Sequence, residues 1–204
     1  MTKDKSERIR ICAEKLYISY GFHGTSMQMI AKEAKISVAT IYTHFENKEA
    51  LIRAIYRQIF IDILSCTLDG FNVSHTPFEQ FRKLWLGTYQ AFKKRPSWIY
   101  FKNLYENSPF YTQEDRLWAS EQCRLIDEYY QNGTRSGLFR NIPPYLLMQL
   151  SLGFLFNISQ TQQIISFGMT PELEDELIQA GWQAILAGQP HECSLINLFG
   201  NSSY

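Results

Sequence analysis

The 204-residue sequence is poor in the features that mark several protein classes. Its four cysteines (Cys12, Cys66, Cys123, Cys193) are far apart, with no C-x-x-C pair and no histidine at metal-ligand spacing. That excludes a disulfide framework or a zinc ribbon and fits a reduced compartment, with Cys12, Cys66 and Cys123 expected as small core residues. No glycine-rich phosphate loop is present. The longest apolar stretch, residues 146–158, is broken by Gln149, Ser151 and Asn157, so no membrane-spanning helix is expected. The start, "MTKDKSERIR", lacks the apolar segment of a signal peptide. A cytoplasmic location follows as the expectation. None of the four histidines (His23, His44, His75, His191) sits in a catalytic pattern, and His191-Glu192-Cys193 lacks a fourth ligand. No catalytic residue, metal site or cofactor is therefore expected. Net charge is absent too: 20 Lys/Arg balance 20 Asp/Glu, so total charge says nothing about partners.

Strand signals are equally scarce, with neither alternating β-branched runs nor Asn-Gly or Asp-Gly turns. Helix signals recur instead. Ile9, Cys12, Ala13, Leu16, Tyr17 and Tyr20 form an i, i+3, i+4 stripe over residues 3–20, stopped by Gly21. Ser26, Ser37 and Asn47 are placed to cap helices over 27–34, 38–45 and 48–68. Further helices are predicted over 76–94 (Pro77 at its first position), from 96 to before Pro109, over 112–133, over 143–167 and over 170–188. The chain is thus expected to be all-α, with about nine helices. Residues 1–47 form a three-helix N-terminal unit, 48–188 a helical bundle, and 189–204 an aperiodic tail.

The stretch "SVATIYTHFENKEAL" (37–51) carries the first functional signal. On a helical wheel Val38, Ile41 and Phe45 share one side, with Tyr42 at its edge, while Ala39, Thr40, Thr43 and His44 face the other. A short helix after a three-residue turn is helix-turn-helix geometry, and small residues at its start let the backbone approach base edges. Threonine offers a methyl for thymine, and Tyr42, His44 and Lys48 can donate to phosphates. The charge distribution agrees: residues 1–57 hold ten Lys/Arg against six Asp/Glu. Val38 remains open between core and reading roles.

The segment "GFHGTSMQMIAKEAKISVATIYTHFENKEAL" (21–51) resembles the DNA-binding signature of the TetR family of bacterial transcriptional repressors. Gly21, Phe22, Thr25, Ile30, Ala31, Ala34, Ile36, Ser37, Thr40, Ile41, Tyr42, His44, Phe45, Lys48 and Leu51 match in register. Two positions depart: Lys35 stands for the turn glycine, which favours a left-handed backbone, and Ala39 for the glycine before Thr40. The resemblance implies double-stranded operator DNA as partner, with Thr25, Tyr42, His44 and Lys48 on phosphates and Val38, Ala39, Thr40 and Thr43 facing bases. The caps Ser26 and Ser37 belong to the same surface.

Ten aromatic residues fall between Trp85 and Trp118, about twice the chain's own 15% average. As in TetR-like proteins, the C-terminal helices are expected to enclose an apolar, aromatic-lined effector site. The candidates are Trp85, Tyr89, Trp98, Phe101, Tyr105, Phe110, Tyr111 and Trp118, with Phe154 and Phe156 closing one side. With no Lys/Arg cluster there, a highly anionic effector is disfavoured; lipophilic cations, flat aromatics and fatty-acid-like molecules stay open. The resemblance also implies a homodimer through the last two helices, where Leu146, Leu147, Leu150, Phe154 and Ile158 make one stripe and Leu173, Leu177, Ala180, Ala184 and Ala187 another. A ligand-responsive regulator, repressor in type, is the resulting expectation. The alternatives are a helix-turn-helix regulator answering to a protein partner and a helical enzyme.

Overall fold

The computed structural model describes residues 2–164 and 168–188. The predicted tail with His191-Glu192-Cys193, and the end of the helix expected to reach residue 167, lie outside the described residues. Ten α-helices make up the fold among the described residues: α1 (Thr2–Gly24), α2 (Met27–Glu33), α3 (Val38–Tyr42), α4 (Lys48–Thr67), α5 (Pro77–Lys94), α6 (Pro96–Glu106), α7 (Gln113–Gln122), α8 (Arg124–Arg135), α9 (Pro144–Ile164) and α10 (Pro171–Ile185). The extra helix arises at Cys123, whose N–H is shared between the carbonyls of Ala119 and Ser120. The break lets two short helices bury different partners. Asp115 and Trp118 of α7 turn toward α4, while Tyr129 and Tyr130 of α8 pack in a second core with α9 residues.

Local chemistry sets the boundaries. Ser26, Ser37, Asn47, Thr76, Thr112 and Thr170 each accept an amide of the first turn they precede, and Thr76–Glu79 and Thr112–Asp115 close capping boxes. Gly21 (φ 72) ends the regular part of α1 where expected. Gly133, by contrast, does not end a helix. It lies buried inside α8 against the Phe139 ring, and the left-handed stop is Gly137 (φ 77). From there an isolated bridge between Phe139 and Leu186 ties the α8–α9 connection to the end of α10.

Two hydrophobic clusters fill the molecule. The first joins α1–α4 to α6 through Ile9, Tyr17, Phe22, Ile30, Ile41, Leu51, Tyr56 and Phe101. The second lies among α5, α8, α9 and α10 around Phe81, Trp85, Tyr130 and Leu155. The α4 helix runs past both, since Leu64 packs against the second.

Lys35 adopts the left-handed conformation (φ 51) in the turn between α2 and α3. It is the one non-glycine residue among those described with positive φ. A side chain there costs about 1 kcal/mol, partly offset by the entropy glycine would lose on folding. Lys35→Gly is therefore expected to stabilise the protein by about 0.5 kcal/mol, seen as a higher urea midpoint. A lower midpoint would mean that the lysine side chain contributes more than the strain removes.

Candidate nucleic-acid interface and ligand cavity

The α3 helix is held by its buried face. Ile41 is fully buried and Phe45 nearly so, in one core with Ile9, Ala13 and Leu51. The opposite face is open: Ala39, Tyr42 and Thr43 are exposed, Tyr42 by 50%. The helix is shorter than the predicted 38–45, at five residues. The turn nevertheless continues, because the N–H of Thr43 bonds the Ala39 carbonyl and that of Phe45 the Ile41 carbonyl. Phe45 thus keeps its place on the core side without regular helix around it.

Hydroxyl partners decide what each side chain can still offer. Ser37 Oγ accepts the Thr40 N–H at 3.0 Å and lies 2.8 Å from Thr40 Oγ1. The Thr43 hydroxyl donates to the Thr40 carbonyl at 2.7 Å, which leaves its methyl and its oxygen lone pairs for a partner. Exposed Ser26 accepts the Met29 N–H and keeps its own proton. Thr40, His44 and Lys48 are half-buried. Val38 is half-buried as well and packs against the first core, so it lies between the two roles left open for it.

Thr25 requires a correction. Its side chain is fully buried and its hydroxyl is spent on the carbonyls of Gly21 (2.9 Å) and Leu16 (3.1 Å). It fastens the end of α1 to the start of α2 and has no hydroxyl left for a phosphate.

The predicted effector aromatics also require one. Trp98, Phe101 and Tyr105 are buried in the first core, with Phe110, Tyr111 and Trp118 packed against it. Trp85 and Tyr89 are buried in the second, with Phe154 against them. None of the nine lines the cavity that the helices enclose. Edge-to-face stacking, as between Phe22 and Phe110 (5.6 Å), absorbs the rings into packing.

That cavity, of about 400 Å³, lies among α4, α5, α6, α8 and α9. Phe60, Ile63, Leu64 and Thr67 come from α4, Thr88 and Phe92 from α5, and Ile99, Lys102, Asn103 and Glu106 from α6. Met148, Leu152 and Phe156 of α9 close the far wall, so of the pair Phe154 and Phe156 only Phe156 lines this cavity. The signal that finds this wall is register, not aromatic density. Residues 60, 63, 64 and 67, and again 99, 102, 103 and 106, follow i, i+3, i+4, i+7, the first set apolar up to Thr67 and the second polar after Ile99.

Beside the Asn103 and Gln149 amides, the cavity's polar groups form two bonded sets. Thr88 donates to the Leu84 carbonyl at 2.7 Å and sits 3.2 Å from the Thr67 hydroxyl, which makes an internally satisfied pair. Lys102 Nζ lies 2.6 Å from Glu106 Oε2, and Tyr56 of α4 donates to Glu106 Oε1 at 3.0 Å. Burial and, next, the Glu106 charge push the Tyr56 phenol far above its usual range, so it stays a donor. Burial pushes the Cys123 thiol on the cavity wall up to about 11, which keeps it protonated and a poor nucleophile.

Two further networks brace these helices, one to α1 and one between α7 and α4. Arg95 and Ser97, at the start of α6, hold the largely buried Glu14 of α1 at 3.0 Å each. Asp115, fully buried, accepts from Tyr105 (2.8 Å) and Thr112 (2.8 Å) and pairs with Arg53 (3.3 Å) and Arg57 (3.5 Å) of α4. Glu114 takes the same Arg57 at 3.0 Å.

Comparison with known proteins agrees with this geometry. Residues 12–55 match the family described as bacterial regulatory proteins, tetR family, and residues 77–186 match the tetracyclin repressor-like C-terminal domain. The chain is 26% identical over 182 residues to an HTH-type transcriptional regulator of Haemophilus influenzae, covering 89% of this chain and 96% of the relative. Among solved structures, a TetR-family regulator from Marinobacter aquaeolei superposes with a TM-score of 0.85 at 23% identity, over 91% of this chain and 97% of that one. A TetR-family regulator from H. influenzae does so with a TM-score of 0.78 at 25% identity, over 91% and 98%. The second match alone spans more than half of the sequence, and the relatives it leads to are regulators, not enzymes. The chain belongs to the TetR family and is a helix-turn-helix transcriptional regulator.

Proposed function

We propose that this regulator binds a palindromic operator as a homodimer, as a repressor, and is released when a small effector enters the cavity. The observation that carries the reading is the path of α4. The helix begins at Lys48 beside the open face of α3 and ends with Phe60, Ile63, Leu64 and Thr67 in the cavity wall. An occupant that prefers a different seating of α4 lowers DNA affinity by its differential free energy, about 1–3 kcal/mol in typical cases.

Residues 1–47 serve as the DNA-binding domain and 48–188 as the effector and dimer domain, in a cytoplasmic protein. Ala39, Thr40 and Thr43 face bases, with Val38 at the edge. Ser26, Ser37, Tyr42, His44 and Lys48 hold the backbone. Exposed Tyr145, Leu146 and Leu150 on α9 and Leu173 on α10 supply apolar surface for a two-fold interface, which a palindrome requires. Among the described residues no helix is long and apolar enough to cross a membrane.

Tyr42→Ala tests the assignment of the open face. Losing a phosphate contact is expected to weaken binding about tenfold on every duplex alike, with sequence preference retained. Anisotropy titrations that show unchanged affinity, or a loss confined to one sequence, would remove Tyr42 from the phosphate contacts.

A further inference from the structure

We propose that the effector is a cationic amphiphile, an ammonium-type group on an apolar body, that binds by taking the place of the Lys102 ammonium on Glu106. This rests on the cavity being the effector site. The cavity wall already carries an ammonium on a carboxylate: Lys102 Nζ, 2.6 Å from Glu106 Oε2. The two partners are held unequally. Glu106 is fixed from a second helix by the Tyr56 hydroxyl, whereas the only ion pair of Lys102 among the described residues is Glu106, one turn away on its own helix. A flexible lysine stem can carry its charge out to water at little cost. A ligand cation can therefore displace Lys102 and leave Glu106 with two partners. A ligand anion would have to draw Lys102 away and leave the half-buried carboxylate with Tyr56 alone.

The surroundings favour the same sign. Asp127 on α8 acts on the wall residue Cys123, as do Lys102 and Glu106, so two carboxylates stand against one ammonium there. The Thr88 hydroxyl proton is committed to the Leu84 carbonyl, while the Asn103 and Gln149 amides on the wall can serve either sign. Phe60, Phe92 and Phe156 stand among the apolar residues of the wall and suit both an apolar body and a cation's approach to ring faces. Because Glu106 also holds Tyr56 of α4, whatever replaces Lys102 changes a contact of the helix that begins at the DNA-facing unit.

Titration calorimetry of the full chain with decyltrimethylammonium, decanol and decanoate, each below its micelle concentration, tests this. The cation is expected to bind about tenfold more tightly than decanoate, as a partly exposed ion pair allows. Lys102→Met should strengthen cation binding several-fold by removing the internal competitor, and Glu106→Gln should abolish the cation's advantage. Thermal melts report whether the Glu106 variant keeps its fold, and the Lys102 variant stands as the independent arm. Decanoate binding best, or a cation affinity unchanged or weaker in Lys102→Met, overturns the proposal. Equal binding of all three overturns the choice of charge while leaving the cavity as an effector site; binding of none overturns both.

Discussion

Replacing Asp115 with alanine is expected to lower the unfolding free energy by about 2–3 kcal/mol. The carboxylate is fully buried, yet it serves three elements at once: it closes the capping box of α7, accepts from Tyr105 of α6, and neutralises Arg53 and Arg57 of α4. Alanine would leave the Tyr105 hydroxyl with the longer 3.2 Å contact to the Phe110 carbonyl and its contact with Arg53. The arginines are about one-third exposed, so water recovers part of their loss, which keeps the effect below that of a fully buried pair.

Burial alone would raise the Asp115 carboxyl. Hydrogen bonds from Thr112 and Tyr105, with the Arg53 charge, outweigh it and hold the group below its usual value. A depressed folded value means that this stabilisation is complete above the unfolded value, about 4, and is lost as pH falls through the folded one. Wild type and Asp115→Ala should thus differ by a constant amount near neutrality and converge in acid. Urea melts across that range check it, and a gap that widens in acid would contradict the assigned sign.

Gly87→Val is expected to be at least as damaging, by about 3 kcal/mol or a melting temperature lower by roughly 10 °C. At Gly87 α5 crosses α4 backbone to backbone. A Cβ there would collide with the Cys66 carbonyl oxygen and lie 2.7 Å from the Thr67 carbonyl oxygen and 2.8 Å from its Cα. The obstacle is main chain, which no rotamer change relieves. Gly87→Ala makes the same clash but gains about 1 kcal/mol of helix propensity, so it should fall between wild type and valine. Since Thr67 and Thr88 form the floor of the cavity beside this crossing, the valine variant should also lose ligand binding. A folded variant with an unchanged melt would mean that α4 and α5 can separate without cost.

The parts of this structure that were legible in the sequence are those written locally. Caps at Ser26, Ser37, Asn47, Thr76 and Thr112 and the stop at Gly21 lie within four residues of what they control. The left-handed turn at Lys35 followed from the family pattern. The break at Cys123 was not legible, because no glycine or proline marks it; it arises from α7 and α8 burying different faces. The helix expected over 112–133 runs on past Gly133: a glycine that serves close packing under Phe139 looks, in one dimension, the same as a stop. The packing of the expected aromatics into the two cores was not legible for a related reason. Ring density predicts bulky side chains but not whether they face a gap or each other, and Trp98, Phe101 and Tyr105 face each other's neighbours. Thr25 matched the family pattern, yet its hydroxyl partners two carbonyls that only the fold brings near.

The open face of α3 is proposed to read operator DNA in a two-fold dimer. Fluorescence anisotropy on duplexes from the protein's own upstream region, against scrambled duplexes at two salt concentrations, tests it most directly. Two protomers per site are expected, with at least about a thousandfold preference over the scrambled duplex and a steep loss of affinity with salt. Tight binding by a single protomer, or specific binding that survives Ala39→Asp and Thr43→Asp, would contradict it.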